Sequence, residues 1–311
     1  SLDAVDLANV ADESPFDHFL SMYGGYLPSS TSRWCTKKLK LDPFEAYIGD
    51  DPTISYVGIR GDEDRDGYIS KKQSVQSLFP FRKNIWSEDV IKLKLKNDNT
   101  PLLLSYCKDL VDPNKLNSFE EILSKKLALS YSQRQKLNGL LDLCVVSFNK
   151  IVFRFLKENT SYPVGKLDDF PLIYKTEVVV RADVFKTLED SGVGVPNYYK
   201  EIEFEHNGEK GVYSRSRSGC FFCFYQQKIE WIWLYEQHPE IFKKAMEYEK
   251  DGYTWAQGES LSDIIKPERV DQIKTNHIIK LKNIKKNSNS NKLSDILLDE
   301  EEGIGCASCF I

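Results

Sequence analysis

The chain has 311 residues, 41% hydrophobic and 29% charged, with a net charge of -5 and seven cysteines. That length supports a sizeable core in one large domain or two, and the mild, well-mixed acidity excludes a protein that is basic throughout and coats nucleic acid, leaving only a local basic groove. No apolar run approaches the ~20 residues that span a bilayer and the N-terminus carries no signal-peptide pattern, so the expected compartment is the cytoplasm without membrane attachment, where the cysteines read as reduced thiols or a metal site.

In chain order, Ser14-Pro15 opens a helix, with Ser14 as N-cap and Pro15 in the first turn, and Gly24 and Gly25 stop it. In RWCTKKLK, residues 33–40, Leu39 among Lys37, Lys38 and Lys40 reads as a short helix, and Pro43 starts a new segment. Cys35 at its front either gains thiolate character from those cations or is simply buried with Trp34. The β-branched and aromatic run Ile54 to Ile59 predicts a buried strand. The loop after it carries Arg60, Glu63 and Arg65 at the carboxyl end, where open α/β sheets place ligands; a solvated charged turn is the rival reading. DEDRDG in this loop is not a calcium site, because the bidentate glutamate of such loops is missing.

Residues 97–180 change texture. Asn117 or Ser118 caps FEEILSKKLALSY, and SQRQKLNGLLDLCVVSFNKIVFRFLKE repeats apolar residues at helical spacing, so the segment reads as a helical hairpin. Cys144 falls on the apolar face as a packed core residue and Cys107 has no partner pattern; neither is assigned to chemistry. ADVFKTLEDSG predicts a helix ending at Gly192, and GVGVPNYY an aromatic turn. FYQQKIEWIWLYEQ has the 3.6-residue period up to His238-Pro239, and PEIFKKAMEYEKDG makes a further helix stopped by Gly252. His18, His206, His238 and His277 stand at no ligand spacing. KLKNIKKNSNSNK is basic and too poor in apolar residues to order itself; an acidic stretch follows, and the chain ends in GCASCFI.

The centre of this pattern is SRSRSGCFFCFYQQKIEW, residues 214–231. Cys220 and Cys223 are spaced so that a tight turn carries both sulfurs to one side, onto a metal or cluster or into a redox dithiol; two neighbouring buried cysteines are the bland alternative. Arg215 and Arg217 just ahead would lower a thiolate pKa, balance a cluster or grip a phosphate or sulfate. A second Cys-x-x-Cys, Cys306 and Cys309, has no core to join at a terminus: either the tail folds back to complete a metal site, or it carries a mobile thiol to a reaction centre.

RWCTKKLK, YVGIRGDEDR, the GVGVPNYY turn and SRSRSGCFFCFYQQKIEW followed by HPEIFKKAMEYE together resemble the phosphoadenosine phosphosulfate reductase family and its DNA-phosphorothioation and phage relatives, over roughly residues 14–82 and 183–260. The resemblance implies an α/β fold with a partial, adenine-nucleotide-hydrolase-like (Rossmann-like) parallel sheet. Its parts would be residues 1–96 as the end of the nucleotide- or phosphosulfate-binding domain, 97–180 as a helical insertion, 181–282 as the Cys-x-x-Cys helical region and 283–311 as a flexible tail. It implies sulfur transfer or reduction on an adenine nucleotide or phosphosulfate, with a thiol reductant such as thioredoxin. Cys35, Cys220, Cys223 and Cys306 would ligate a 4Fe-4S cluster; Cys309, with Cys306, would supply the reactive thiol; Arg60, Arg65, Lys38, Arg215 and Arg217 would hold the anion. The family's Ser-Gly-Gly-x-Asp-Ser phosphate loop, whose glycine amides cradle pyrophosphate, is absent, so the expectation is a C-terminal portion of a longer protein or a member without nucleotide cleavage. A second reading is non-catalytic: Cys220, Cys223, Cys306 and Cys309 close a zinc site in a component of a DNA-modification or defence complex, with Lys280, Lys282, Lys285 and Lys286 as phosphate contacts or as a solvated linker.

Overall fold

A computed structural model describes residues 14–63, 67, 69, 70, 72–215, 220–250 and 252–287, side chains of 198 and 284–287 excepted. Arg65, Arg217, Cys306 and Cys309 lie outside the described residues. The chain is mixed α/β: helices carry most of it, and its strands form a parallel pair and an antiparallel hairpin. It divides into two compact units, one built from the chain before residue 48 and after residue 187, the other from 48–187. Those borders differ from the expected ones at 96 and 180.

In the first unit, Ser14 caps helix α1, Pro15–Met22, by accepting the Asp17 N–H at 3.2 Å, and Gly24 and Gly25 end it with φ of 63° and 81°, as the sequence indicates. The short helix expected around Leu39 is part of a longer one, α2, in which Trp34–Thr36, a π-turn Lys37–Leu41 and Asp42–Ile48 follow without a break. A proline ring clashes with the carbonyl four residues back in a regular α-helix. Here the Asp42 N–H reaches back to the Lys37 carbonyl, and this wider turn ahead of Pro43 lets the helix run through.

The 48–187 unit begins with β1, Thr53–Tyr56, parallel to β2, Val75–Leu78, in the register Thr53↔Val75 to Tyr56↔Leu78. The buried strand is β2; β1 is half-exposed, with Tyr56 at 58%, which corrects the expectation of a buried strand over 54–59. Beyond the ladder Val57 and Ile59 pack separately on Phe79. Helices α3, Glu88–Lys94, α4, Thr100–Leu110, α5, Pro113–Ser124, and α6, Gln133–Asn159, follow. The predicted apolar stripe of α6 is buried at Leu140, Leu141, Phe148, Ile151, Val152 and Phe155, but it shares one core with Leu78 of β2, Trp86 and Ile91 of α3. Residues 97–180 are therefore continuous in packing with the strand pair. Helix α6 is also broken at Cys144 (φ -167°, ψ 104°), so Cys144 marks a kink rather than a regular position on the apolar face; Lys115 donates to the Leu143 carbonyl there at 2.9 Å.

Helix α7, Arg181–Asp190, ends as read, with Gly192 at φ 76°. The first unit then resumes with a hairpin that the sequence reading did not contain: β3, Ile202–His206, antiparallel to β4, Glu209–Tyr213. Asn207 and Gly208 both take positive φ, 52° and 77°, the pattern of the two-residue turn that Asn-Gly favours. Helices α8, Lys228–Gln237, α9, Pro239–Glu247, α10, Leu261–Ile264, and α11, Pro267–Asn287, follow; α9 ends at Glu247, ahead of the expected stop at Gly252, because Lys250 and Tyr253 pair with each other through their backbones. Helix α11 runs into the tract expected to stay unordered. It is held by buried Ile273 and Ile278, by a 2.9 Å contact of His277 Nε2 with the Val212 carbonyl and by Lys282 on Glu209. The unit's core gathers Phe16, Trp34, Trp231, Phe242, Trp255 and Leu261.

Candidate thiol site

Two aromatic residues between the cysteines organise this site. Phe222 of Cys-Phe-Phe-Cys packs on Phe16 of α1 (centroids 4.5 Å apart), Trp255 (5.4 Å) and Tyr248 (5.1 Å). Phe16 in turn stacks on Trp34 at 5.2 Å, and Trp34 is the residue before Cys35. Burying these rings together, worth roughly 1.5–3 kcal/mol each, draws the Cys220–Cys223 turn onto the first turn of α2. The next turn, Cys223 to Gln226, is closed by the Gln226 N–H on the Cys223 carbonyl at 2.9 Å.

The electrostatics register that approach. Burial pushes the Cys35 thiol up to about 11; hydrogen bonds with Thr36 oppose the rise, and charge on Cys223 and Cys220 adds to it. Cys35 and Cys223 are partly exposed and Cys220 is exposed. The three sulfurs are thus neighbours in the same field. They do not converge on one point: among the described residues no group of three or more His, Cys, Asp or Glu side chains is disposed to hold a metal ion. Cys107 is fully buried, with its thiol on the Leu103 carbonyl, and belongs to the other unit.

Of the predicted anion-binding residues, Arg215 lies at the thiols. Its Nη2 donates to the Cys220 carbonyl at 3.2 Å and to Gln226 Oε1 at 3.3 Å, so it braces the turn while facing no carboxylate among the described residues. Lys38 is paired with Asp42 at 2.8 Å. In the 48–187 unit, Arg60 stands at the carboxyl end of β1 as expected, with Nε on Asp62 at 2.9 Å and Nη1 on Glu63 at 2.7 Å. Its guanidinium therefore shapes its own loop, and an anion would have to displace a carboxylate to reach it. Burial acts against the charge on Asp62, but the Arg181 N–H and Arg60 together hold its carboxyl below the ordinary range. A cavity of about 640 Å³ opens beside this loop, lined by Glu63, Arg82, Lys83, Lys92 and Arg134.

The sequence reading missed the aromatic anchors Phe16, Phe222 and Trp255. The available signal was the pair of phenylalanines inside the Cys-x-x-Cys turn, since apolar side chains on a tight turn need a core to enter. No protein-family model, no curated protein and no solved structure matches this chain.

Proposed function

We propose that the chain is a thiol-dependent sulfur-transfer or reduction enzyme of the phosphoadenosine phosphosulfate reductase type, its parallel strand pair being part of an adenine-nucleotide-hydrolase-like sheet. The observation that carries the reading is the packing of Phe222 on Phe16 and of Phe16 on Trp34, which brings the Cys220–Cys223 turn beside Cys35; burial is the main cause of the rise in Cys35, and the charge of Cys223 and Cys220 adds a smaller part. Exposed Cys220 is the attacking sulfur, since it is open to solvent whereas Cys35, with burial pushing its thiol up to about 11, stays protonated at neutral pH. Closing the Cys220–Cys223 disulfide gives up two electrons and two protons to the bound sulfur group, and an external thiol reductant restores the dithiol. Arg215, which has no carboxylate partner among the described residues, is the guanidinium placed to hold the substrate's anionic end.

The cluster implied by the resemblance fits this donor set incompletely. Of the four expected ligands, Cys306 lies outside the described residues, and Cys35, Cys220 and Cys223 do not form a metal-holding group among the described residues.

The test is a thiol count on the reduced full chain under anaerobic conditions, before and after exposure to a phosphosulfate donor, with iron and acid-labile sulfide measured on the same sample. The expected result is a loss of two thiols per chain that Cys220→Ser abolishes. An unchanged count with the donor, at any iron content, overturns the reading.

A further inference from the structure

The first unit contains a cavity of about 630 Å³ that no thiol lines. Three loops form it: 26–31, 224–228 and 252–258. Its polar lining is hydroxyl and amide, from Ser29, Thr31, Thr254 and Gln257, and it contains no carboxylate. Its one lysine, Lys228, is already paired with Glu259. At its rim Tyr26 and Tyr253 meet edge to face with centroids 5.0 Å apart, and both rings are more than a third exposed. Gln257 makes no hydrogen bond among the described residues.

The carboxylates Glu249, Glu259 and Asp263 line the adjoining cavity, which shares Gly252, Thr254 and Gly258 with this one, and three cations stand near the first cavity itself. Arg33 donates to the Ser30 carbonyl and lies 5.4 Å over the Tyr225 ring. Arg215 binds the amide oxygen of Gln226. Lys250 reaches over Gly25, beside Tyr26. None of these three cations faces a carboxylate among the described residues, although the chain as a whole is acidic. Exposed aromatic faces for stacking, an uncharged amide and hydroxyl wall, and nearby unpaired cations are the features that hold an unpaired base with its phosphate.

We propose that this cavity is a binding site for a nucleobase carrying phosphate, presented by a single-stranded polynucleotide that stacks on Tyr26 and Tyr253 and sets its backbone against Arg33 and Lys250. Arg215 stands near both this cavity and the thiols, so the test rests on Tyr26, Tyr253 and Lys250, none of which has a part in the sulfur chemistry proposed above, and its readout is binding.

The experiment is fluorescence anisotropy of a labelled twelve-nucleotide single-stranded DNA with the full chain, with the duplex of the same sequence and the free mononucleotide as competitors. Saturable binding of the single strand, with Tyr26→Ala and Tyr253→Ala each weakening it by about 5- to 100-fold at unchanged melting temperature, is expected. Tyr253→Phe should keep the affinity, and Lys250→Gln should reduce the salt slope by about 0.7. Competition by the mononucleotide as effective as by the strand, with the same sensitivity to the two tyrosine variants, identifies the free nucleotide as the source of the same chemistry. Absence of saturable binding by either, a preference for duplex, or binding indifferent to both alanine variants overturns the proposal.

Discussion

Cys35 meets two obstacles to ionisation, the loss of water around its sulfur and the charge of Cys223 and Cys220. Only the thiolate attacks an alkylating reagent, so its labelling rate should climb about tenfold per pH unit and level off only near pH 11, while exposed Cys220 is labelled ahead of it at neutral pH; time-resolved mass spectrometry of iodoacetamide-treated protein reads both. Lys94 presents the opposite case in the 48–187 unit. It is fully buried, its Nζ has no hydrogen-bond partner among the described residues and lies 3.8 Å over the Phe148 ring, and burial holds its amine well below the ordinary 10.5. Between that depressed value and 10.5 the unfolded chain binds a proton that the folded chain does not, so stability rises with pH across the window; the penalty is complete below it and gone above it. Lys94→Met should stabilise the protein by about 1–3 kcal/mol at pH 7 and flatten that slope, as measured by urea unfolding at pH 7 and pH 9.5.

Single elements show which local signals carried through to structure. The helix ends at Ser14, Gly24 and Gly192 are where the sequence places them, whereas the cap expected at Asn117 or Ser118 is overturned: both lie inside α5, which starts at Pro113 behind Asp112, whose side chain accepts the Asn114 N–H. Asn207-Gly208 was an equally explicit turn signal, but its flanking strands are short and largely exposed, with only Gly211 and Tyr213 buried, so alternation was weak. Gly208 has open space where a Cβ would stand, so Gly208→Ala carries only the conformational cost of φ 77°, about 1 kcal/mol, visible as a lowered unfolding midpoint. Helix α11 escaped notice because its apolar stripe is thin, Ile273 and Ile278 among lysines and asparagines, and the contacts that order it come from β4, some 65 residues earlier. Phe222 is the element-level anchor of the thiol site. Phe222→Ala should destabilise the first unit by about 2–4 kcal/mol and speed Cys35 alkylation at fixed pH, because the ring that covers the turn is lost; an unchanged Cys35 rate would mean that Phe222 does not hold the thiols together.

At the scale of the molecule, spacing in the sequence says nothing about which distant segments fold together. The proximity of Cys35 to Cys220 and Cys223 was expected from the resemblance alone; physically it follows from residues 14–47 and 188–287 sharing the core of Phe16, Trp34, Trp231 and Trp255. The 48–187 segment was divided at residue 96 because its texture turns helical there, yet Leu78, Trp86 and Ile91 bury themselves against Phe119, Leu140 and Phe148, and no linear pattern marks that union. Each unit thus has its own continuous apolar core, and the first is closed only when both ends of its discontinuous chain are present. Two cores of this kind unfold as two cooperative steps. Urea titration followed by tryptophan fluorescence should therefore separate them: four of the five tryptophans, Trp34, Trp231, Trp233 and Trp255, belong to the first unit and Trp86 alone to the second. Lys94→Met should shift only the transition reported by Trp86, and Phe222→Ala only the one reported by the other four. A single transition displaced equally by both variants would show the two cores to be one thermodynamic body.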